Sequence, residues 1–295
     1  MTSSTPQGKE LAAGRHVSLE GVSAELHQPG QENDRPPLVL IPGVSGAKEL
    51  FDSIHEPLSK KRQVLVIDLR DGKGRALLSP DRAVMALRKT LTDLAWDQVD
   101  VLGQSFGSVV AVRLWKNSPQ TIRKLILAPP AVLPKNLGAY SAMLRWACMG
   151  LLVRVWPRSH DEELERRIRD LGGYALEPDL TGVPFQAFVK RVRKARVMSL
   201  FGRLLGLAGH SWKRELRGIH APLLILEGNR ELELVPKEML LFFRSLPGAR
   251  LAVVPGGHMP FLTHPEAFCR AVLEFLDETV EIPDRAAIST RKSSA

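Results

Sequence analysis

The chain is poor in cysteine and lacks the motifs of several common cofactor and metal sites. Its 295 residues include two cysteines, Cys148 and Cys269, which lie far apart and form no C-x-x-C pair. There is no H-E-x-x-H motif, and the glycines at 72–77 and 43–48 do not fit a dinucleotide fingerprint or a P-loop. We therefore expect a protein that uses neither a metal ion nor a cofactor.

Signals for export and for membrane insertion are also missing from the sequence. The first fifteen residues are polar, no asparagine begins a usable glycosylation triplet, and no apolar run is long enough to span a bilayer. These features predict a cytoplasmic protein. The polar segments at 1–14 and 284–295 are predicted to be disordered tails.

Positive charge is in excess, without the patterns that usually accompany nucleic-acid binding. The chain has 41 lysine and arginine residues against 32 acidic residues, and the densest basic cluster lies at 190–196. Neither interleaved aromatic residues nor a zinc-finger spacing accompanies this charge, so we expect no nucleic-acid partner. We interpret the cluster as a solvated helix face, with attraction to anionic lipid or to an acidic substrate as the alternative.

Apolar runs separated by helical patterns predict the fold class. With 44% apolar and 25% charged residues, the composition is that of a folded globular chain. An antiparallel hairpin is expected at 16–27. Continuous apolar runs, which are expected of strands covered on both faces, lie at 37–41 and 63–67. An alternating apolar segment at 98–102 also predicts a strand, and further strands are predicted at 123–127, 222–226 and 249–254. Their alternation with helices predicts an α/β fold with a mostly parallel sheet and helices on both faces.

This alternation is interrupted once, by about ninety residues of helical character. It stops at Pro130 and resumes at Pro222. We therefore predict a core made of residues 15–130 and 222–283, with residues 131–221 inserted as a helical cap. The predicted cap contains an apolar stripe at helical spacing, whose side chains either pack inside the protein or line a ligand site. The segment 140–156 could alternatively form an interfacial helix at a membrane surface. The stripe comprises Met143, Trp146, Met149 and Leu152.

A G-x-S-x-G pentapeptide marks the position of a possible nucleophile. It occupies residues 103–107, directly after the predicted strand 98–102 and before a buried helical segment. Strand, sharp turn and helix form the context of a nucleophile elbow, in which a strained turn exposes the serine hydroxyl at the end of a sheet. The pattern predicts Ser105 as the nucleophile, and a loop serine between two buried elements is the alternative.

A serine hydroxyl needs a base, and the base needs a group that orients it. His258 follows two glycines directly after the last predicted strand, so its ring can reach the edge of the sheet, whereas His264 precedes a predicted helix. The loop after Leu226 offers a carboxylate to accept the ring N–H. Glu231 is the first choice for this acid, and Glu233 is the second.

The oxyanion formed during attack needs preorganised N–H donors. The backbone N–H of Phe106, directly after the predicted nucleophile, is one candidate. The other is the N–H of Val44, in the turn at 42–46 after the strand ending at Ile41.

Taken together, these motifs make the chain similar to the α/β-hydrolase superfamily, in its single-domain form with a helical cap. The similarity covers roughly residues 15–280 and rests on five segments. They are the turn at 42–46, the segment 68–75, the elbow at 103–107, the acid loop at 228–236 and the G-G-H triplet at 256–258. The resemblance implies an eight-stranded, mostly parallel sheet, a triad of Ser105, Glu231 and His258, and no cofactor.

The expected function is therefore a serine hydrolase that cleaves an ester or related acyl bond of a hydrophobic small molecule through an acyl-enzyme. Pro42 replaces a histidine common in the family, and the acid loop is irregular, which motivates a non-catalytic binding or scaffold protein as one alternative. Another is the same triad used for C–C hydrolysis, perhydrolysis or acyl transfer. Contact with a membrane surface and the oligomeric state remain open.

Overall fold

The computed structural model describes most of the chain, with several gaps. The described residues are 15–19, 22–28, 35–69, 79–130, 152–153, 155–157, 160–170, 180–194, 202–203, 206–207, 210–232 and 235–279. Both predicted tails lie outside these residues, as do Glu233 and most of the segment 140–156. Of the apolar stripe predicted there, only Leu152 is described.

Eight strands form one sheet. They are β1 (Arg15–Leu19), β2 (Val22–His27), β3 (Leu38–Ile41), β4 (Val64–Asp68), β5 (Val99–Ser105), β6 (Ile122–Pro130), β7 (Leu223–Gly228) and β8 (Ala249–Val254). Their order across the sheet is β1-β2-β4-β3-β5-β6-β7-β8. Strand β2 pairs antiparallel with β1 and with β4, and every other pairing is parallel. The predicted mostly parallel, eight-stranded sheet is therefore confirmed.

Helices cover both faces of the sheet. They are α1 (His55–Ser59), α2 (Pro80–Asp93), α3 (Phe106–Asn117), α4 (Asp161–Asp170), α5 (Gly182–Lys194), α6 (Trp212–Glu215), α7 (Asn229–Leu232), α8 (Lys237–Ser245), α9 (Pro260–Thr263) and α10 (Pro265–Asp277), with a 3₁₀ helix at Lys48–Phe51. None of the helices in the described ranges has the length and apolar character needed to cross a bilayer.

Each face of the sheet carries its own apolar core, and the residues of β3 alternate between the two cores. Val39 and Ile41 pack into one core, whereas Leu38 and Leu40 pack into the other, and all four side chains are fully buried. Successive side chains of a strand point to opposite faces, so a strand covered on both sides has no position for a polar residue.

Helices also form within the segment between β6 and β7, where the sequence predicts a cap. The described part of this segment includes α4, α5 and α6, which agrees with its predicted helical character, while the cap boundaries stay a prediction. Apolar side chains from α4 and α5, such as Leu164 and Phe185, share a core with Phe51 and Met259, which follow β3 and β8. Within the basic cluster, Lys190 is exposed.

A buried lysine near the amino-terminal end of β6 binds the end of α10. Lys124 of β6 is 1% exposed, and its ammonium group donates to the carbonyl oxygens of Phe275, Leu276 and Glu278 at 2.7, 3.2 and 2.7 Å. Phe275 and Leu276 belong to the last turn of α10 and Glu278 directly follows it, so their carbonyls have no partner within the helix. The lysine therefore caps α10 from the neighbouring sheet, and a cation there also suits the negative end of the helix dipole.

We expect Lys124→Met to lower the free energy of unfolding by about 3 kcal/mol, because methionine keeps the apolar stem but leaves buried carbonyls without a donor. Urea denaturation followed by circular dichroism would measure the change. Lys89→Met is the matched control, since Lys89 is half exposed and its contact with Asp93 is 3.9 Å long. We expect the control to cost less than about 0.5 kcal/mol. Equal effects of the two substitutions would contradict a capping role for Lys124.

Candidate active site

Ser105 lies at the junction of β5 and α3, in a backbone conformation that residues with side chains avoid. Its φ is 53° and its ψ is −114°. Among the described residues other than glycine, only Ala95 also has a positive φ. Such a conformation costs free energy and persists where the surrounding structure enforces it. The sharp strand-to-helix turn predicted from the pentapeptide is therefore present.

Close backbone contacts on both sides of this turn enforce it. A Cβ atom added to Gly103 would lie 2.3 Å from the carbonyl oxygen of Gly107, and one added to Gly107 would lie 2.1 Å from that of Ile41. Real Cβ contacts are never this short, so both positions require glycine. The two glycines let α3 begin directly against β5 and β3, which holds Ser105 at the carboxyl end of the sheet.

The turn that follows β3 lies next to this serine. Ile41 pairs with Gly103 in the parallel register, and a Cβ added to Gly43 would be 3.2 Å from that of Ser105. The turn is closed by the N–H of Gly46, which donates to the carbonyl of Gly43 at 2.9 Å. Val44 lies within this turn and Phe106 begins α3. The N–H groups predicted to bind the oxyanion therefore belong to two segments that both adjoin Ser105.

The structure brings His258 and Glu231 into direct contact. The Nδ1 atom of His258 lies 2.7 Å from Oε1 of Glu231, and the two side chains are 17% and 12% exposed. An ionised carboxylate can only accept a hydrogen bond, so Nδ1 carries the proton and donates it, which leaves Nε2 as the basic nitrogen. Glu231 was predicted on a loop and lies in the short helix α7. The second choice for the acid, Glu233, is outside the described residues.

Backbone contacts hold the acid segment against the histidine segment. The N–H of Gly256 donates to Oδ1 of Asn229 at 3.1 Å, and the N–H of Arg230 donates to the carbonyl of Gly256 at 3.0 Å. Because β5, β7 and β8 are mutually parallel through β6, the residues that follow them lie along the same edge of the sheet. Asn229 was not singled out from the sequence, where it carries no signal beyond its place in a turn.

A second carboxyl group, that of Glu227, lies close to Glu231. Glu227 is fully buried on β7, and neither of its oxygen atoms has a hydrogen-bond partner within the described residues. Burial raises the pKa of Glu227 well above its ordinary value, and the negative charge of Glu231 raises it further. Burial and the neighbouring carboxylate therefore both favour the protonated form of Glu227.

The sequence contained a signal for Glu227 that was missed. It is the only charged residue in the strand β7, and it follows Leu223 and Ile225 on the same face of the sheet. That face is packed with apolar side chains, so the period of two along the strand places Glu227 in the interior.

Comparisons with known proteins identify the family to which the chain belongs. The sequence matches a model of the alpha/beta hydrolase family over residues 38–271, from β3 into α10. It is 24% identical over 293 residues to a poly(3-hydroxyalkanoate) depolymerase of Ectopseudomonas oleovorans, with 95% of this chain and 97% of the depolymerase covered. A solved esterase from Exiguobacterium antarcticum is similar with a TM-score of 0.68 at 18% identity, covering 90% of this chain and 100% of the esterase.

One further relative is much longer than this protein. The chain is 30% identical over 280 residues to the polyketide synthase ThaQ of Burkholderia thailandensis, and the match covers 88% of this chain but only 12% of the synthase. Because the family model covers most of the sequence, the chain belongs to the alpha/beta hydrolase family. The predicted membership and the prediction of an enzyme of this type are both confirmed.

Among the described residues, no group of three or more histidine, cysteine, aspartate or glutamate side chains is placed to hold a metal ion. The expectation that the protein uses neither metal nor cofactor stays a prediction.

If the turn stores strain at Ser105, glycine should relieve it. We expect Ser105→Gly to be more stable than Ser105→Ala by about 1 kcal/mol, because both lack the hydroxyl but only glycine tolerates this φ. Thermal and urea unfolding of the two variants would measure the difference. The same pair of substitutions at Ser118, whose φ is −147°, should give glycine no advantage. An advantage of equal size at both sites would contradict local strain at Ser105.

A protonated Glu227 also predicts a pH dependence of stability. In the unfolded chain this carboxyl ionises near its ordinary pKa of 4.5, whereas in the folded protein the raised pKa keeps it neutral to higher pH. The wild type therefore loses stability as the pH rises from 4.5 towards the folded pKa. Glutamine ionises in neither state, so Glu227→Gln should gain in melting temperature relative to the wild type over that range.

The control for this series is Glu238→Gln, which changes an exposed glutamate of α8. Its difference in melting temperature from the wild type should stay flat over the same pH range. A flat difference for Glu227→Gln as well would show that Glu227 is ionised in the folded protein.

Proposed function

We propose that the protein is a serine hydrolase that cleaves an ester or related acyl bond of a hydrophobic small molecule. Ser105 is the nucleophile, His258 the general base and Glu231 the acid that orients it. The observation that carries the proposal is the 2.7 Å contact between His258 and Glu231, on the sheet edge where the strained Ser105 ends β5. A carboxylate on Nδ1 fixes the tautomer in which Nε2 can accept a proton.

The reaction would begin with attack of the Ser105 hydroxyl oxygen on the acyl carbon, while Nε2 of His258 takes the hydroxyl proton. The charge that develops on the carbonyl oxygen would be bound by the N–H groups of Val44 and Phe106. When the tetrahedral intermediate collapses, the bond to the leaving alcohol breaks and His258 returns the proton to that alcohol. The acyl group is then joined to Ser105 through an ester bond.

Water then hydrolyses the acyl-enzyme by an equivalent sequence of attack and proton transfer. His258 takes a proton from a water molecule as the water oxygen attacks the acyl carbon. The bond to Ser105 then breaks, the serine oxygen recovers its proton from His258, and a carboxylic acid leaves. Glu231 remains ionised throughout, because its role is to accept the N–H of Nδ1 and stabilise the imidazolium.

Two observations support a hydrophobic substrate. In the segment between β6 and β7, the apolar side chains of Leu164 and Phe185 are buried against Phe51 and Met259, so the described part of this segment that meets the carboxyl edge of the sheet is apolar. One relative is a depolymerase of poly(3-hydroxyalkanoate), an apolar polymer whose units are joined by ester bonds. We propose a small apolar ester in the cytoplasm as the substrate, without a nucleic-acid partner.

A fluorophosphonate probe tests the nucleophile directly, because it reacts only with an activated serine. We expect the wild type to be labelled and Ser105→Ala to be unlabelled. On nitrophenyl esters of increasing chain length, His258→Gln and Glu231→Gln should each lower kcat by about 10³-fold or more. His220→Gln changes an exposed histidine away from this edge and should retain full activity.

Three outcomes would contradict the proposal. Folded wild type that resists the probe would favour the non-catalytic alternative, and equal labelling of Ser105→Ala would place the nucleophile elsewhere. Labelled wild type that hydrolyses no ester of any chain length would favour C–C hydrolysis, perhydrolysis or acyl transfer.

A further inference from the structure

One fully buried arginine reaches the candidate active site from the segment between β6 and β7. Arg203 has no exposed surface, and its guanidinium group lies among the loops at the carboxyl edge of the sheet. Burying a charged side chain costs free energy unless its donors are satisfied with good geometry. Arginine is suited to such a position because its planar fork presents donors in a fixed arrangement.

The two arms of the guanidinium hold two different loops. Nη1 donates to the carbonyl oxygen of Val44 at 3.0 Å, and Nη2 donates to the carbonyl oxygen of Leu69. Val44 belongs to the turn after β3, and Leu69 directly follows β4. The same loops are joined to each other, because the N–H of Leu69 donates to the carbonyl of Gly46 at 2.7 Å.

The space beside this turn is shaped for the guanidinium. Gly46 has a φ of 67°, and a Cβ atom added to it would lie 2.6 Å from Nη1 of Arg203. Any other residue at position 46 would therefore displace the arginine. Arg203, Leu69 and the turn at 43–46 therefore form one hydrogen-bonded unit. Arg203 lies more than 130 positions away in the chain from the two carbonyls that it binds.

This unit contains the N–H group that we assign to the oxyanion. Holding the Val44 carbonyl fixes the peptide on one side of Val44, and the bond from Gly46 to Gly43 closes the turn on the other side. Two dihedral angles of a single residue then separate the held carbonyl from the Val44 N–H. A donor fixed in this way needs no reorganisation when charge develops, which is the condition for effective stabilisation of an oxyanion.

We propose that Arg203 is a positioning residue that sets the direction of the Val44 N–H by holding the Val44 and Leu69 carbonyls together. This inference rests on the proposed function for its catalytic consequence. The hydrogen-bonded unit itself does not depend on that function, so the two can fail separately.

The catalytic test compares an ester with its thionoester, in which sulfur replaces the carbonyl oxygen. Oxyanion donors hydrogen-bond developing oxygen charge more strongly than sulfur charge, so an aligned site favours the ester. Arg203→Met should lower kcat for the ester by about 10²-fold, leave KM nearly unchanged and reduce the ester-to-thionoester ratio. The kcat and the ester-to-thionoester ratio of Arg203→Lys should lie between those of the wild type and Arg203→Met, because an ammonium group keeps the charge but lacks the fork that spans both carbonyls.

Arg193→Met is the matched control. Arg193 also donates to backbone carbonyls, those of Val153 at 3.0 Å and Trp156 at 3.3 Å, but both belong to the same inserted segment. Its loss should leave the ester-to-thionoester ratio at the wild-type value, even if stability falls. A ratio that is unchanged in both Arg203 variants, whatever their kcat, would overturn the positioning role.

Hydrogen exchange provides a readout that requires no turnover. In Arg203→Met, the amides of Gly46 and Leu69 should exchange about tenfold faster or more, since their hydrogen bonds lose the arginine that holds both loops. Arg193→Met should leave these amides at the wild-type rate. If the methionine variant does not fold, Arg203→Lys supplies the same comparison. Unchanged exchange in a folded Arg203 variant would overturn the inference, whereas wild type without activity would overturn only the proposed function.

Discussion

The backbone strain at Ser105 is the constraint around which the site is arranged. A residue with a side chain at a φ of 53° is held there by the packing of α3 against β5 and β3, which requires glycine at 103 and 107. The free energy for this conformation comes from the buried apolar sheet, whose central strands have no exposed side chains. The fold thus supplies a rigid edge at which Ser105 is held.

Two neighbouring carboxyl groups, those of Glu231 and Glu227, set the electrostatics at this edge of the sheet. Glu231 is paired with His258, whereas burial and the charge of Glu231 raise the pKa of Glu227, a few residues earlier in the chain, and favour its neutral form. In the reaction that we propose, a second negative charge beside Glu231 would stabilise the imidazolium further and make His258 a poorer acid when the proton must be returned. Keeping Glu227 protonated therefore keeps a single negative charge beside the imidazole.

The sequence predicted the architecture well because strands buried on one or both faces carry a local apolar pattern. The strands β3 to β8 were predicted from apolar and alternating segments, and the helix α3 from the buried helical segment after the pentapeptide. Glu231 was found from its place in chain order, although its local helix was not. Asn229 and Glu227 were not found, because their contacts join separate loops or depend on which face of a strand is covered.

Local patterns in the sequence therefore determined the fold class, the elbow serine and the histidine after the last strand, since periodicity, glycine placement and chain order are all encoded over short distances. Only the tertiary structure decided that His258 meets Glu231 and that Arg203 holds Val44 and Leu69. These contacts join residues 27, 159 and 134 positions apart. Such pairings follow from the closure of loops around the completed sheet, and no local pattern specifies which distant groups will meet there.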